Sequence, residues 1–154
     1  ILQIFKQFYN EHNCDASIPY EGITDLLHTL NDMGVKIAVA SNKYQEDKEK
    51  IVKRFFPDID FVAINGQQEG IPVKPDPSIV FDILSKAQLT KDETVFIGDS
   101  GVDIDTARRA CIDSIGVTWG LRQKKELIEH YADNIVHHPG EILELIKNYC
   151  SKVV

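Results

Sequence analysis

Short apolar runs alternate with stretches of helical spacing along the chain, and this alternation limits the fold more than any other feature. "VKIAVAS" (35–41), "FVAIN" (61–65), "TVFIG" (94–98), "SIGVTW" (114–119) and "NIVHH" (134–138) each read as a short strand. Ile23, Leu26, Leu27, Leu30 and Met33 recur at helical spacing, with Gly34 placed as a C-terminal cap. Further helices are predicted near 44–56, over 78–87, through Ala110, near 123–130 and in the closing "GEILELIKNY". Strands separated by helices must be joined by crossovers, so the expected class is α/β with a mostly parallel sheet and helices on both faces.

A length of 154 residues, 43% hydrophobic and 27% charged, is that of one ordinary globular domain. The formal charge of -7 argues against a nucleic-acid backbone or an anionic membrane as the main partner, because both select clustered Lys and Arg. Three cysteines, Cys14, Cys111 and Cys150, lie scattered without a CxxC pair, which suggests neither a disulfide framework nor a zinc site and fits a reducing cytoplasm. No apolar run approaches the ~18 residues of a membrane span, and "ILQIFKQFYN" is an amphipathic helical pattern rather than a signal peptide.

In open parallel sheets, ligands bind beyond the carboxyl ends of the strands. That edge should collect Ser41 and Asn42, Asp99, and Gly120, with Lys74 of the "PVKPDP" loop reaching it on a four-carbon stem. The densest chemistry is in "TVFIGDSGVDID", where Asp99, Asp103 and Asp105 follow a buried strand within seven residues. Two carboxylates about 4 Å apart repel by roughly 4 kcal/mol at an effective dielectric of 20, so a hard cation or a helix N-terminus is needed to keep them ionised together. Both readings stand, since "VDIDTARRA" is also the acidic first turn of a helix. A hydroxyl, an ammonium and a carboxylate pair in one crevice suit a phosphoryl group. Ser41 and nearby amides would donate to its oxygens and Lys74 would neutralise charge. Asp99 would hold magnesium, and Asp103 would add a ligand or orient a metal-bound water.

These residues carry a resemblance to the haloacid dehalogenase superfamily of phosphatases, in particular its phosphoglycolate phosphatase-like branch. "IAVASN" with Ser41 resembles the second motif, "VKPDP" with Lys74 the third, and "IGDSGVD" with Asp99 and Asp103 the fourth. "VTWG" is similar to a segment common in the branch, and the likeness runs from about Ile18 to Tyr149. It implies a three-layer Rossmann-like core and a cytoplasmic, magnesium-dependent phosphomonoester hydrolase acting on a small phosphorylated, phosphoglycolate-like metabolite. In that reading Lys74, Ser41 and Asp99 are catalytic, Ser41, Asn42 and Lys74 bind substrate, and Asp99 and Asp103 bind the metal.

The family's first motif, DxDGT, which bears the aspartate nucleophile of a phospho-aspartyl mechanism, does not occur in the chain. Asp58 and Asp60 of "PDIDF" cannot replace it, because they precede their strand and so lie at its amino end. Five residues buried on both faces of a central strand would contribute as much as the whole 5 to 15 kcal/mol stability of a domain. The expectation is therefore a C-terminal part of a longer protein. It would lack the first central strand between "KIAVAS" and "TVFIG", with residues 1–17 a remnant of a helical cap and 18–154 the core. A pyrophosphatase or sugar-phosphate mutase would use the same core residues. A noncatalytic phosphate-binding module would have kept the pocket without the nucleophile. His137 and His138 read as a strand end, Trp119 as either crevice edge or sheet packing, and "RQKKELIEH" as a solvated helical face.

Overall fold

The computed structural model describes residues 18–151. In chain order its elements are α1 (Ile23–Asp32), β1 (Ile37–Tyr44), α2 (Gln45–Phe55), β2 (Phe61–Gln67), α3 (Ser78–Ala87), β3 (Val95–Gly98), α4 (Gly101–Ala110), β4 (Asp113–Val117), α5 (Lys124–Glu129), β5 (Asn134–Val136) and α6 (Pro139–Ser151). All the pairings, β1 with β2, β3 with β4 and β4 with β5, are parallel, as the crossover pattern requires. The α/β class holds. The proposed cap remnant, 1–17, lies outside the described residues.

The strands form two ladders, β1–β2 and β3–β4–β5. β1 and β3 face one another across an apolar cleft of about 680 Å³, whose walls include Ile37, Ala38 and Ala40 on one side and Val95, Phe96 and Ile97 on the other. Among the described residues the sheet is thus interrupted between β1 and β3, the position where a central strand was expected to be missing. Alternation along β3 divides the core into two layers. Val95 packs with Leu26 and Leu30 of α1, Ile115 and Val117 of β4, and Ile142 and Ile146 of α6. Phe96, the next residue, packs on the opposite face with Ile79, Val80 and Leu84 of α3 and Ala107 and Ala110 of α4. Ile115 and Ile142 are almost wholly buried, and each side chain contributes roughly 1.5 to 3 kcal/mol.

Local chemistry sets the element ends. Gly34 adopts φ +75° after α1, the left-handed conformation that favours glycine, and lets the Val35 amide bond back to Leu30 O at 2.9 Å. β1 runs beyond the expected end at Ser41 because Tyr44 pairs with Gln67, but the register is irregular between Ala40 and Tyr44. β5 stops at Val136, short of the expected His138, because the His137 amide donates to Glu141 Oε2 at 3.0 Å instead of to a neighbouring strand.

Asp76 Oδ1 accepts from the Ser78 hydroxyl at 2.5 Å and the Ser78 amide at 2.9 Å, fixing the entry to α3. These bonds, the hydroxyl first and the amide second, hold its carboxyl below the ordinary value of 3.8. The folded state then binds fewer protons than the unfolded one around that value, so the contribution is full above about pH 4 to 5 and fades as pH falls through the lowered pKa. Urea denaturation of Asp76→Ala should show a stability deficit at pH 6 that shrinks by pH 3.

Candidate active site at the carboxyl edge of the two ladders

Ser41 and Asn42 sit in the irregular part of β1, where the backbone leaves regular pairing. Such irregularities re-aim side chains at strand ends. Ser41 Oγ accepts from the Lys43 amide at 3.2 Å, and its own proton meets no protein acceptor among the described residues. Asn42 ties the next loop down reciprocally, its Oδ1 accepting from the Lys74 amide at 2.9 Å and its Nδ2 donating to Lys74 O at 3.1 Å. Asn42, expected in the substrate-binding group, thus uses its side chain to place Lys74. The Lys74–Pro75 peptide is cis.

From there Lys74 crosses the carboxyl end of the cleft. Its Nζ donates to Ala40 O on β1 at 3.1 Å and to Asp103 Oδ1 on α4 at 2.6 Å. The side chains of Lys74 and Asp103 are each only 10% exposed, so this pair is shielded from the screening that weakens surface ion pairs. The Phe96 ring lies 5.6 Å from the ammonium and adds a weak cation–π contact.

Asp103 has a second task. Its Oδ2 accepts from the Asp99 amide at 3.2 Å, the Ser100 amide at 3.2 Å and the Ser100 hydroxyl at 2.8 Å. Ser100 is the N-cap of α4, and Asp103 completes its capping box. The helix-terminus reading and the ligand reading of this carboxylate are therefore compatible: the cap shapes the loop that presents Asp99. Asp105 separates from the group, pairing with Arg108 at 2.9 Å and His130 at 3.0 Å.

Asp99 lies at the end of β3, with Oδ2 accepting from the Leu121 amide at 2.9 Å and Oδ1 without a protein partner among the described residues. A Cβ on Gly120 would sit well inside contact distance of this carboxylate, so only glycine leaves room for it. Gly98 similarly accommodates the Asp103 side chain. Hard carboxylate oxygens suit magnesium, which keeps several waters and takes one or two protein carboxylates. Asp99 and Asp103 fit as such a partial donor set. Among the described residues no group of three or more His, Cys, Asp and Glu forms a metal cluster.

Lys48 lies within electrostatic reach of Lys74, the lysine that crosses this edge. Burial, followed by the charges of Lys43 and Lys74, holds the Lys48 ammonium below its ordinary 10.5. Residues set aside in the sequence stay apart from it. Asp60 bonds through its backbone to the Asn31 side chain just before β2, and Trp119 packs on the α1–α6 core. The exposed His137 Nδ1 meets Thr118 Oγ1 at 2.9 Å. One residue of "RQKKELIEH" is different: Glu126 Oε1 accepts from the buried Gly101 amide at 2.8 Å. Its sequence signal was an i,i+4 charge pattern, which fits the exposed Lys125–Glu129 pair and hides Glu126.

The fold is a parallel α/β core with Ser41, Lys74, Asp99 and Asp103 at its carboxyl edge, and comparison with known proteins gives its family. The profile of haloacid dehalogenase-like hydrolases matches residues 1–117, and the chain belongs to that family. It is 28% identical over 142 residues to a phosphoglycolate phosphatase of Mannheimia succiniciproducens, covering 92% of this chain and 63% of that protein. It is 25% identical over 148 residues to the pyrophosphatase PpaX of Listeria welshimeri, covering 96% and 68% respectively. A solved structure from Lactobacillus delbrueckii subsp. bulgaricus, classed with the phosphoglycolate phosphatases, superposes with a TM-score of 0.88 at 37% identity, over 94% of this chain and 60% of the other. The chain thus spans less than two thirds of the first of these relatives. No helix among the described residues is long and apolar enough to cross a membrane.

Proposed function

We propose that the chain forms the phosphate-stabilising and metal-holding part of a magnesium-dependent phosphomonoester hydrolase acting on a small phosphorylated, phosphoglycolate-like metabolite. The observation that carries this reading is Lys74, whose ammonium bridges Ala40 O, next to Ser41 in β1, and Asp103 Oδ1 at 2.6 Å, the carboxylate whose other oxygen accepts from the Asp99 amide. The phospho-aspartyl route needs a carboxylate nucleophile, assigned to a strand preceding the described core and lying in the cleft between β1 and β3. That carboxylate displaces the alcohol from phosphorus, and water then cleaves the acyl phosphate.

Ser41 directs its free proton to a non-bridging phosphoryl oxygen, and Lys74 neutralises charge that develops on the same group. Asp99 and Asp103 would hold magnesium, which would supply positive charge beside the transferring phosphoryl group. Asp103 also keeps Lys74 pointed across the cleft, so one carboxylate couples the two charge-stabilising parts. Asn42 fixes the loop from which Lys74 extends.

A pyrophosphatase is the second reading, supported by the likeness to PpaX. The whole protein should be assayed with phosphoglycolate, other small phosphate esters and inorganic pyrophosphate, with magnesium and with EDTA. Turnover of a monoester at least about tenfold above pyrophosphate, abolished by EDTA, is the expected result. Preference for pyrophosphate selects the second reading, and metal-independent turnover refutes both.

A further inference from the structure

Glu126 stands outside the group of residues assigned to phosphate and metal, yet it touches the loop that carries both carboxylates. The amides of Asp99 and Ser100 go to Asp103 Oδ2, and the Asp103 amide goes to Ser100. These bonds are internal to the loop. The Gly101 amide instead donates to Glu126 Oε1, 25 residues further along the chain, at 2.8 Å. Gly101 is buried and Glu126 half-buried, so the bond is shielded from water.

Two neighbouring contacts make this part of a grip. His130, one turn beyond Glu126, lays its ring against Gly101 and pairs through Nδ1 with Asp105 Oδ2 at 3.0 Å. Leu121, just before α5, donates its amide to Asp99 Oδ2 at 2.9 Å. The segment 121–130 therefore holds residues 99, 101 and 105, on both sides of Asp103. Groups that orient a metal's carboxylates set its affinity without touching it, and their loss typically costs about 10- to 100-fold.

We infer that Glu126 is a positioning residue for the metal-binding carboxylates, acting through the Gly101 amide. It rests on the reading of Asp99 as a metal ligand. The effect requires an acceptor oxygen at that point and not a negative charge, because glutamine offers the same oxygen to the same N–H. Glu126→Ala leaves the amide unpaired and frees the first turn of α4 to shift, which moves Asp103 and Asp99 together.

The test is Mn²⁺ binding to the whole protein, followed by the magnesium dependence of turnover. Titration by electron paramagnetic resonance reports free Mn²⁺ for wild type, Glu126→Ala, Glu126→Gln and Asp99→Asn. The expected result is about tenfold weaker Mn²⁺ binding in Glu126→Ala, a change within about twofold in Glu126→Gln, and a matching rise in half-activating magnesium. Unchanged affinity in Glu126→Ala, or equal losses in the alanine and glutamine variants, overturns the inference while leaving Asp99 as ligand. Wild-type binding by Asp99→Asn removes the reading beneath it, whatever Glu126 does. If Glu126→Ala does not fold, Glu126→Asp replaces it, since drawing the acceptor back by one methylene should weaken binding in the same direction.

Discussion

Lys74→Met is expected to lower magnesium-dependent hydrolysis by the whole protein about 100- to 1,000-fold and to destabilise it by about 3 kcal/mol. The two losses have separate causes. Methionine keeps much of the apolar stem but leaves Asp103 Oδ1 and Ala40 O without the donor they share. Both partners are 10% exposed, and removing one member of a shielded pair strands a charge that water cannot fully reach. The Phe96 contact at 5.6 Å adds less, about 0.5 to 1 kcal/mol. Adding Asp103→Asn to Lys74→Met should recover most of the stability and none of the activity. Denaturant midpoints and turnover numbers for the two single variants and the pair check this. Full activity in Lys74→Met would refute the assignment of the ammonium to the transferring phosphoryl group.

Asp99→Asn should behave in the opposite way with respect to folding. Asparagine Oδ1 can still accept from the Leu121 amide, and the space beside Gly120 is unchanged, so stability should stay within about 0.5 kcal/mol. What disappears is the negative charge on the oxygen that faces no protein donor among the described residues. Turnover at saturating substrate should fall at least about 100-fold, a barrier increase of roughly 2.7 kcal/mol, and raising magnesium should restore little of it. Steady-state kinetics over a magnesium series give the comparison. Undiminished magnesium-dependent turnover would exclude Asp99 as the metal's carboxylate.

The class and order of elements were legible because periodicity is local: the run 78–87 is helical as its spacing requires, and β3 ends where Gly98 and Asp99 signal. The grouping of Ser41, Lys74, Asp99 and Asp103 was legible because strand ends in parallel sheets share one edge. What the residues could not give was the partner of each polar atom. Nothing local to Asn42 says that it pairs with the backbone of Lys74, 32 residues away. Glu126 was hidden by a surface-like neighbourhood, since Lys124, Lys125 and Glu129 around it are exposed. The capping role of Asp103 was legible as one of two readings, while the lysine that its other oxygen anchors lies 29 residues away and left no local signal.

The divided sheet gives the cleft a metric role. Strands in a ladder lie about 4.8 Å apart, so one extended backbone between β1 and β3 would hold them about 9.6 Å from each other while pairing with both bare edges. Ser41 belongs to one side of that gap and Asp99 to the other. Whatever peptide fills the gap becomes the gauge that spaces hydroxyl from carboxylate, and a bulge in that peptide would detune the pocket without altering any residue lining it.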